Sequence, residues 1–242
     1  MMRLSNKVAV VTGGSRGIGR AIVEKFRAEG ATVVSFDLQP GDRQLRVDVT
    51  CEADVRAGMA DVLATHGTID ILINNAGVNA YFDAVEMTEP QWDAVFAVDL
   101  KGAWLCAKHV LPTMKTAKRG SIVNIASIHA SLTIGGMFPY AAAKSGLVGL
   151  TRSLALDYAA AGIRVNAVSP GWTRTHLVEE WFSLQPDPAA AEASVMNAHP
   201  MKRIATAMEV ANLVCFVASD EASAITGAAL AVDCGLGIQF ST

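Results

Sequence analysis

The chain has 242 residues, enough for one large α/β domain with a substantial core, and no linker or internal repeat divides it. The net charge of -3 and the lack of a dense Lys and Arg block exclude the electrostatic pattern of nucleic-acid or anionic-membrane binding. The four cysteines are far apart and form no Cys-x-x-Cys pair, which argues against a zinc site and a disulfide framework. We expect one domain over residues 1–242, with small molecules and copies of the chain as partners.

The first apolar stretch of the chain follows Lys7 and ends at Thr12. It is too brief for the core of a signal peptide or for a membrane span. Together with the separate cysteines, this stretch predicts a soluble protein of a reducing compartment, the cytoplasm.

Short β-branched runs alternate with longer helical patterns along the whole chain. The runs predict buried parallel strands at residues 8–11, 32–36, 69–73, 122–125, 165–168 and 229–232. The longer patterns predict crossover helices at residues 21–28, 53–64, 91–115, 140–161 and 209–218. Thr88 with Gln91 predicts a capping box, and Gly162 a left-handed helix end. The alternation predicts an α/β fold with a Rossmann-like, doubly wound parallel sheet and helices on both faces.

A glycine-rich run, residues 12–19, follows the first predicted strand and opens the first helix. Glycines let the backbone turn tightly and approach a pyrophosphate, and the new helix presents free N–H groups. The spacing Gly13-x-x-x-Gly17-x-Gly19 differs from the general Gly-x-Gly-x-x-Gly fingerprint. By itself the run therefore fits either a dinucleotide turn or an ordinary strand-to-helix loop.

Asp37 closes the second predicted strand, 18 residues after Gly19. A carboxylate there accepts hydrogen bonds from both hydroxyls of an adenosine ribose and repels a 2′-phosphate, which predicts NAD over NADP. Arg16 is the counter-signal, because a guanidinium in the turn offsets that repulsion.

Tyr140 and Lys144 are four residues apart, which places a phenol and an ammonium on one helix face. A cation near a phenol favours the phenolate, the form that acts as a base. Ser127 lies thirteen residues before Tyr140. The pair alone is also typical of an exposed helix contact without function, so its weight comes from Ser127 and the glycine-rich run.

In order and spacing, these motifs resemble the short-chain dehydrogenase/reductase family, in the compact form that consists of one Rossmann-like domain. The resemblance extends over nearly the whole length and includes Asp48-Val49, Asn75-Ala76-Gly77, and Pro170-Gly171 followed by Thr173 and Thr175. It implies a cofactor half at roughly residues 1–125 and a catalytic and substrate half at roughly 126–242. The cofactor contacts that it implies are Gly13, Ser15, Arg16, Gly17, Ile18, Gly19, Asp37, Leu38, Asp48, Val49, Asn75, Ala76, Gly77, Tyr140, Lys144, Pro170, Gly171, Thr173 and Thr175.

The resemblance also implies a mechanism that needs no metal. In it Tyr140 takes the proton of a substrate hydroxyl while hydride leaves the same carbon for nicotinamide. Lys144 assists Tyr140 and holds the nicotinamide ribose, and Ser127 bonds the substrate oxygen.

Asp99 stands where the family has a catalytic asparagine. In the family a main-chain carbonyl at this helix kink holds a water that links the lysine to solvent, and any residue supplies such a carbonyl. A carboxylate near Lys144 also holds the ammonium more firmly and weakens its effect on Tyr140. We therefore expect Asp99 in the catalytic set, with the asparagine role altered.

The substrate side is expected to include Ser127, His129, Tyr140, Trp172 and Arg174. Arg and His side chains bind carboxylates and sugar hydroxyls, although a lone loop histidine is more often solvated or structural. Trp181 and Phe182, in the variable segment that follows, are expected either to close over a ligand or to pack between subunits.

The overall pattern resembles the bacterial branch of the family that oxidises sugars, deoxy-sugar acids and polyols. Two alternatives stay open: an NADPH-dependent carbonyl reductase, acting for example on 3-oxoacyl groups, and a non-catalytic dinucleotide sensor.

Cys234 stands where the family ending has glycine. By resemblance, the apolar faces of the helices at 91–115 and 140–161 pair between subunits in a homotetramer.

Overall fold

A computed structural model describes residues 2–39 and 44–238 of the chain. These residues form a parallel sheet of seven strands and a separate parallel pair of two short strands. The strands of the large sheet are β1 (Val8–Thr12), β2 (Thr32–Asp37), β3 (Gln44–Arg46), β4 (Ile71–Asn74), β5 (Gly120–Ile125), β6 (Ile163–Pro170) and β9 (Ala229–Val232). The short pair consists of β7 (Thr173–Arg174) and β8 (Ala205–Thr206).

Helices cover both faces of the large sheet. They are α1 (Gly17–Ala28), α2 (Glu52–His66), α3 (Glu89–Phe96), α4 (Gly102–Ala117), α5 (Phe138–Tyr158), α6 (His176–Ser183), α7 (Pro188–Ala198) and α8 (Ala207–Ala218). A π-helical turn, Ala97–Lys101, joins α3 to α4. Among the described residues, no helix combines the length and the apolar composition that a membrane crossing requires.

The strand order is β3-β2-β1-β4-β5-β6-β9, so the direction of progression reverses between β1 and β4. The connections that follow β1 and β4 run to opposite faces of the sheet, so a crevice opens at the carboxyl ends of these two strands. The predicted single-domain, Rossmann-like doubly wound sheet is confirmed.

Side chains alternate between the two helical layers because successive strand residues point to opposite faces. In β1, Val10 packs with Phe36, Val55 and Leu105 on one face. Its neighbours Ala9 and Val11 belong to the other face, in a cluster with residues of α1 and α8. Both faces are therefore buried, which is why the strands read as continuous apolar runs.

The predicted elements differ from the observed ones in a few places. The third predicted strand starts at residue 69, but the corresponding β4 starts at Ile71, because the Asp70 carboxylate accepts the Val8 N–H before the strand begins. The predicted helix at 91–115 is divided by the π-helical turn. The Thr88 and Gln91 capping box is confirmed, and Gly162 ends its helical segment at φ 75°.

Candidate active site

A cavity lies at the carboxyl ends of β1, β4, β5 and β6. Its lining comes from the turn after β1, the loops after β4 and β5, the start of α5, and the segment from β6 to α6. The residues are Ile18, Asn75, Gly77, Val78, Asn79, Tyr81, Asp99, Ile125, Ala126, Ser127, Ile128, His129, Ile134, Met137, Tyr140, Lys144, Pro170, Gly171, Trp172, Thr173, Thr175, Leu177 and Val178. Residues from both halves of the sequence therefore meet in one place.

The glycine-rich turn between β1 and α1 has the shape of a cradle. Gly13 and Gly17 adopt φ values of 66° and 56°, in the left-handed region that favours glycine. A Cβ on Gly19 would lie 2.1 Å from the Gly13 carbonyl oxygen, so the closing position admits no side chain. Arg16 is the N-cap residue of α1, and no side chain of the described residues caps the first turn, which leaves backbone N–H groups for an anion. The turn therefore fits a pyrophosphate.

Thr12 fastens this turn to the loop after β4. Its Oγ1 accepts hydrogen bonds from the Asn75 and Ala76 N–H groups, both at 2.9 Å. The Asn75 side-chain amide donates to the Thr12 and Gly13 carbonyl oxygens, both at 3.0 Å. Asn75 and Ala76 therefore hold the phosphate turn in place by hydrogen bonds. Asn75 and Gly77 also line the cavity.

Asp37 ends β2 next to the same turn. Its carboxylate accepts the Ser15 N–H at 3.1 Å and the Leu38 N–H at 2.8 Å. These bonds hold the carboxylate at the rim, where a ribose would lie, and Arg16 is exposed beside it. Asp37, Leu38, Asp48 and Val49 are outside the lining of the central cavity and lie toward the β2 and β3 side.

Asp48 and Val49 follow β3, where an adenine ring is expected. The Asp48 carboxylate accepts the Thr50 N–H at 2.9 Å and the Thr50 hydroxyl at 2.7 Å. Val49 is buried and packs against Gly102 at the start of α4. This segment is therefore fixed by its own contacts.

Lys144 lies on α5, one turn after Tyr140, with its Nζ 5.5 Å from the centre of the Tyr140 ring. The ammonium donates to the Ile125 carbonyl oxygen at 3.1 Å and pairs with Asp99 Oδ1 at 3.0 Å. Burial opposes its charge, but the opposite charges of Tyr140 and Asp99 outweigh burial and raise the pKa of Lys144. Of its three donors, two are used, so one is available to a ligand.

Asp99 comes from the π-helical turn and is almost completely buried. The Val78 N–H lies 3.3 Å from each of its carboxylate oxygens. A Cβ on Gly77 would lie 2.7 Å from Asp99 Oδ1, so this glycine makes room for the carboxylate. The structure thus brings the Asp99 side chain itself to Lys144, beyond the main-chain role that the resemblance implies.

Ser127 is the second residue after the end of β5, with Ala126 between them. Its Oγ accepts the His129 N–H at 3.2 Å, which leaves the hydroxyl proton for another acceptor. His129 stands edge-on to the Tyr140 ring, with centroids 5.7 Å apart. Ser127, His129, Tyr140 and Lys144 therefore share one wall of the cavity.

The segment after β6 forms the opposite wall. Pro170, Gly171, Thr173 and Thr175 all line the cavity, and Thr173 pairs with Ala205 in the short sheet. The Thr175 side chain lies 3.6 Å from the position of a Cβ on Gly17, so this segment faces the phosphate turn. The arrangement suits the expected contact with a nicotinamide amide.

Trp172 lines the cavity, whereas Arg174 does not. The Arg174 guanidinium is exposed and pairs with Glu179 at 2.5 Å and Glu192 at 2.6 Å. Because both ends of the guanidinium are engaged outside the cavity, the expectation that Arg174 contacts substrate is not retained. Trp181 packs against Trp172 within the same chain, with centroids 5.0 Å apart.

Several lining residues were not anticipated from the sequence. They are Val78, Asn79, Tyr81, Ile125, Ala126, Ile128, Ile134, Met137, Leu177 and Val178. Most lie in loops without a motif, and only Leu177 and Val178 belong to an amphipathic pattern that the sequence displays in α6. The apolar spacing of α6 was therefore the one available signal.

Comparison with known proteins agrees with this geometry. A family model described as enoyl-(acyl carrier protein) reductase matches residues 13–237. The cis-4-hydroxycyclohexanecarboxylate dehydrogenase of Sinomonas cyclohexanicum is 40% identical over 246 residues, covering 96% of each chain. The 3-oxoacyl-(acyl-carrier-protein) reductase of Thermotoga maritima is 36% identical over 252 residues, covering 98% of this chain and 100% of that protein.

Among solved structures, the ligand-free aldohexose dehydrogenase of Thermoplasma acidophilum superimposes with a TM-score of 0.94 and 37% identity. The alignment covers 100% of this chain and 98% of that chain. One cavity of the same fold contains the buried lysine, the tyrosine and the serine, and the glycine turn borders it through Ile18. The chain belongs to the short-chain dehydrogenase/reductase family.

Proposed function

We propose that the protein is an NAD-dependent oxidoreductase that interconverts a secondary alcohol and a ketone, with Tyr140 as the acid-base group. The observation that carries the proposal is the buried Lys144 ammonium, which is fixed by Ile125 and Asp99 next to the Tyr140 ring. A buried lysine loses its hydration, and even a buried ion pair adds little net stability to a fold. A catalytic task therefore explains the position of Lys144 better than stability does.

The residues divide the reaction as follows. Tyr140, as phenolate, receives the proton of the substrate hydroxyl, and the neighbouring Lys144 ammonium stabilises that phenolate. Ser127 donates its free hydroxyl proton to the same substrate oxygen and holds the carbon in position. Bound nicotinamide supplies the hydride acceptor. Lys144 has one donor left for the ribose, and Thr173 and Thr175 orient the amide.

Asp37 supports NAD as the cofactor. Its carboxylate is fixed by two backbone N–H groups at the rim of the turn, where a 2′-phosphate would meet like charge. The alternative, an NADPH-dependent carbonyl reductase, is favoured by the exposed Arg16 and by the similarity to a 3-oxoacyl reductase. A non-catalytic sensor is less consistent with a chain that retains both Tyr140 and Lys144.

The substrate we propose is a sugar, a deoxy-sugar acid or a polyol. Support comes from the similarity to an aldohexose dehydrogenase and to a dehydrogenase of a cyclic hydroxy acid.

We further propose that the protein is a homotetramer and that it is located in the cytoplasm. The outer groove of α4 and α5 combines apolar side chains with Lys108 and Lys115, a mixed surface that suits a subunit interface; its apolar residues include Trp104, Leu111, Pro112, Leu154 and Tyr158. The four cysteines are free, as a reducing compartment requires.

The test is oxidation of an alcohol panel that contains aldoses, sugar acids, polyols and 4-hydroxycyclohexanecarboxylate. Each alcohol is supplied with NAD⁺ and, separately, with NADP⁺, and reduced cofactor is followed by absorbance. We expect turnover of at least one alcohol, with higher kcat/KM for NAD⁺. A preference for NADP⁺ would select the carbonyl reductase, and no turnover with either cofactor in either direction would contradict an enzymatic role.

A further inference from the structure

The substrate side of the cavity has no positive charge to spare among the described residues that line it. Lys144 is paired with Asp99. Burial lowers the pKa of His129, which favours its neutral imidazole. Arg174 is engaged with two glutamates outside the lining. A substrate carboxylate bound there would lose its hydration without gaining a cationic partner, which is unfavourable.

His129 nevertheless offers a directed hydrogen bond. Its Nδ1 lies 3.1 Å from Thr133 Oγ1, and its backbone N–H donates to Ser127 Oγ. These two contacts fix the ring beside Tyr140. The other ring nitrogen, Nε2, has no partner among the described residues, and it is not sealed from solvent. It is therefore available to a ligand in the cavity.

The position of Nε2 relates it to the reacting carbon. Ser127 Oγ holds the reacting oxygen, and His129 starts two residues further along, in hydrogen-bond contact with that same Oγ. The ring itself is packed against Tyr140 at 5.7 Å. His129 therefore lies beside the two groups that hold the reacting oxygen, and we assign the oxygen that it binds to a carbon next to the one that reacts.

Much of the remaining lining is apolar, alongside the polar side chains of Asn79 and Tyr81. The apolar residues that line the same cavity as His129 include Ile134, Met137, Trp172 and Leu177. Such a surface accepts the C–H face of a ring, and an indole is a common partner for that face.

We infer that the substrate is an uncharged cyclic polyol, such as a neutral sugar or cyclitol, whose hydroxyl next to the reacting carbon is bound by His129. This inference rests on the proposed function and narrows it: of the proposed substrates, the neutral ones are retained and the acids are not.

Three ring-matched probes test the inference with wild-type protein and NAD⁺: cyclohexane-1,2-diol, cyclohexanol and 2-hydroxycyclohexanecarboxylate. The diol differs from cyclohexanol by one neighbouring hydroxyl, and the acid replaces that hydroxyl with a charge. We expect kcat/KM for the diol to exceed that for each of the others by roughly 10- to 100-fold, the effect of one well-placed hydrogen bond.

Two variants assign this preference to His129. His129→Ala should lower the ratio of kcat/KM for the diol to kcat/KM for cyclohexanol to about one, and the affinity of the variant for NAD⁺ reports on its folding. His129→Gln, which retains a donor and an acceptor, should restore part of the preference. The matched control is His66→Ala, because His66 is exposed at the end of α2, remote from the cavity.

Each other outcome decides against the inference. A preference for the hydroxy acid, or an equal loss on both alcohols in His129→Ala, would overturn it while the proposed oxidoreductase remains. So would turnover of other alcohols with no turnover of the three probes. Lack of turnover with every alcohol would instead overturn the proposed function.

Discussion

At the residue scale, Lys144 and Asp99 define this site. A lysine buried to this degree is stable as an ammonium only when its donors are satisfied, and here the Ile125 carbonyl and the Asp99 carboxylate satisfy two of them. The carboxylate has a cost for catalysis, because it balances the charge that favours the Tyr140 phenolate. An asparagine would hold the same space without that charge.

Asp99→Asn should therefore keep or modestly raise kcat/KM. The carboxylate now raises the pKa of Lys144, and its removal leaves the ammonium charge unbalanced beside Tyr140. The limb of the pH profile of kcat/KM that reports Lys144 should move to lower pH, as measured by steady-state rates from pH 5 to 11. Asp93→Asn, an exposed aspartate on α3, is the matched control. A loss of about 100-fold or more would mean that the carboxylate itself acts in the reaction.

At the scale of elements, the turn between β1 and α1 is specified by sterics. Gly13 and Gly17 supply left-handed conformations, and Gly19 lets the turn close on the Gly13 carbonyl. The sequence therefore predicts this turn well, because each of these glycines is needed for a local backbone conformation or for lack of space for a Cβ. The π-helical turn before α4 was not predictable, since Ala97–Lys101 contains ordinary helix-forming residues and its geometry depends on packing.

Gly19→Ala should abolish tight binding of NAD⁺. The added Cβ would meet backbone 2.1 Å away, and backbone cannot move aside without opening the turn. We expect the Kd for NAD⁺, measured by titration calorimetry, to rise by about 100-fold, the loss of roughly 3 kcal/mol of binding free energy.

The control for this variant is Gly135→Ala, because no atom of residues 2–39 and 44–238 lies within 4 Å of a Cβ at that position. Its Kd for NAD⁺ should match that of the wild type. Equal affinities in Gly19→Ala and Gly135→Ala would show that the turn does not bind the pyrophosphate.

At the scale of the whole molecule, the doubly wound sheet was predictable because buried parallel strands produce continuous β-branched runs. Strand β3 was outside the predicted runs, since Gln44–Arg46 is only three residues long and mostly polar. The substrate wall was harder to predict, because only tertiary packing brings Asn79, Tyr81 and Ile134 into the cavity that His129 lines. The sequence therefore predicts the residues that belong to chemical motifs and does not predict the residues that only shape the cavity.

The outer faces of α4 and α5 are the basis of a prediction about assembly. Leu156 is 83% exposed and Trp104 43% exposed, an unfavourable arrangement unless other chains cover them. We expect the protein to sediment at four times its chain mass of 25.4 kDa, and Leu156→Glu to sediment as a smaller species.

Leu184→Glu is the control, because Leu184 is 76% exposed at the end of α6, away from those faces. Sedimentation velocity distinguishes the species. A single-chain mass for the wild type would rule out the tetramer.

The most direct test of the whole account is the rate of NADH formation by Tyr140→Phe with an alcohol that the wild-type protein oxidises. The variant retains the ring that packs on His129 and beside Lys144 and lacks only the hydroxyl. We predict a kcat about 100- to 10,000-fold lower, the usual contribution of an acid-base group, with unchanged affinity for NAD⁺. An undiminished kcat would contradict the account.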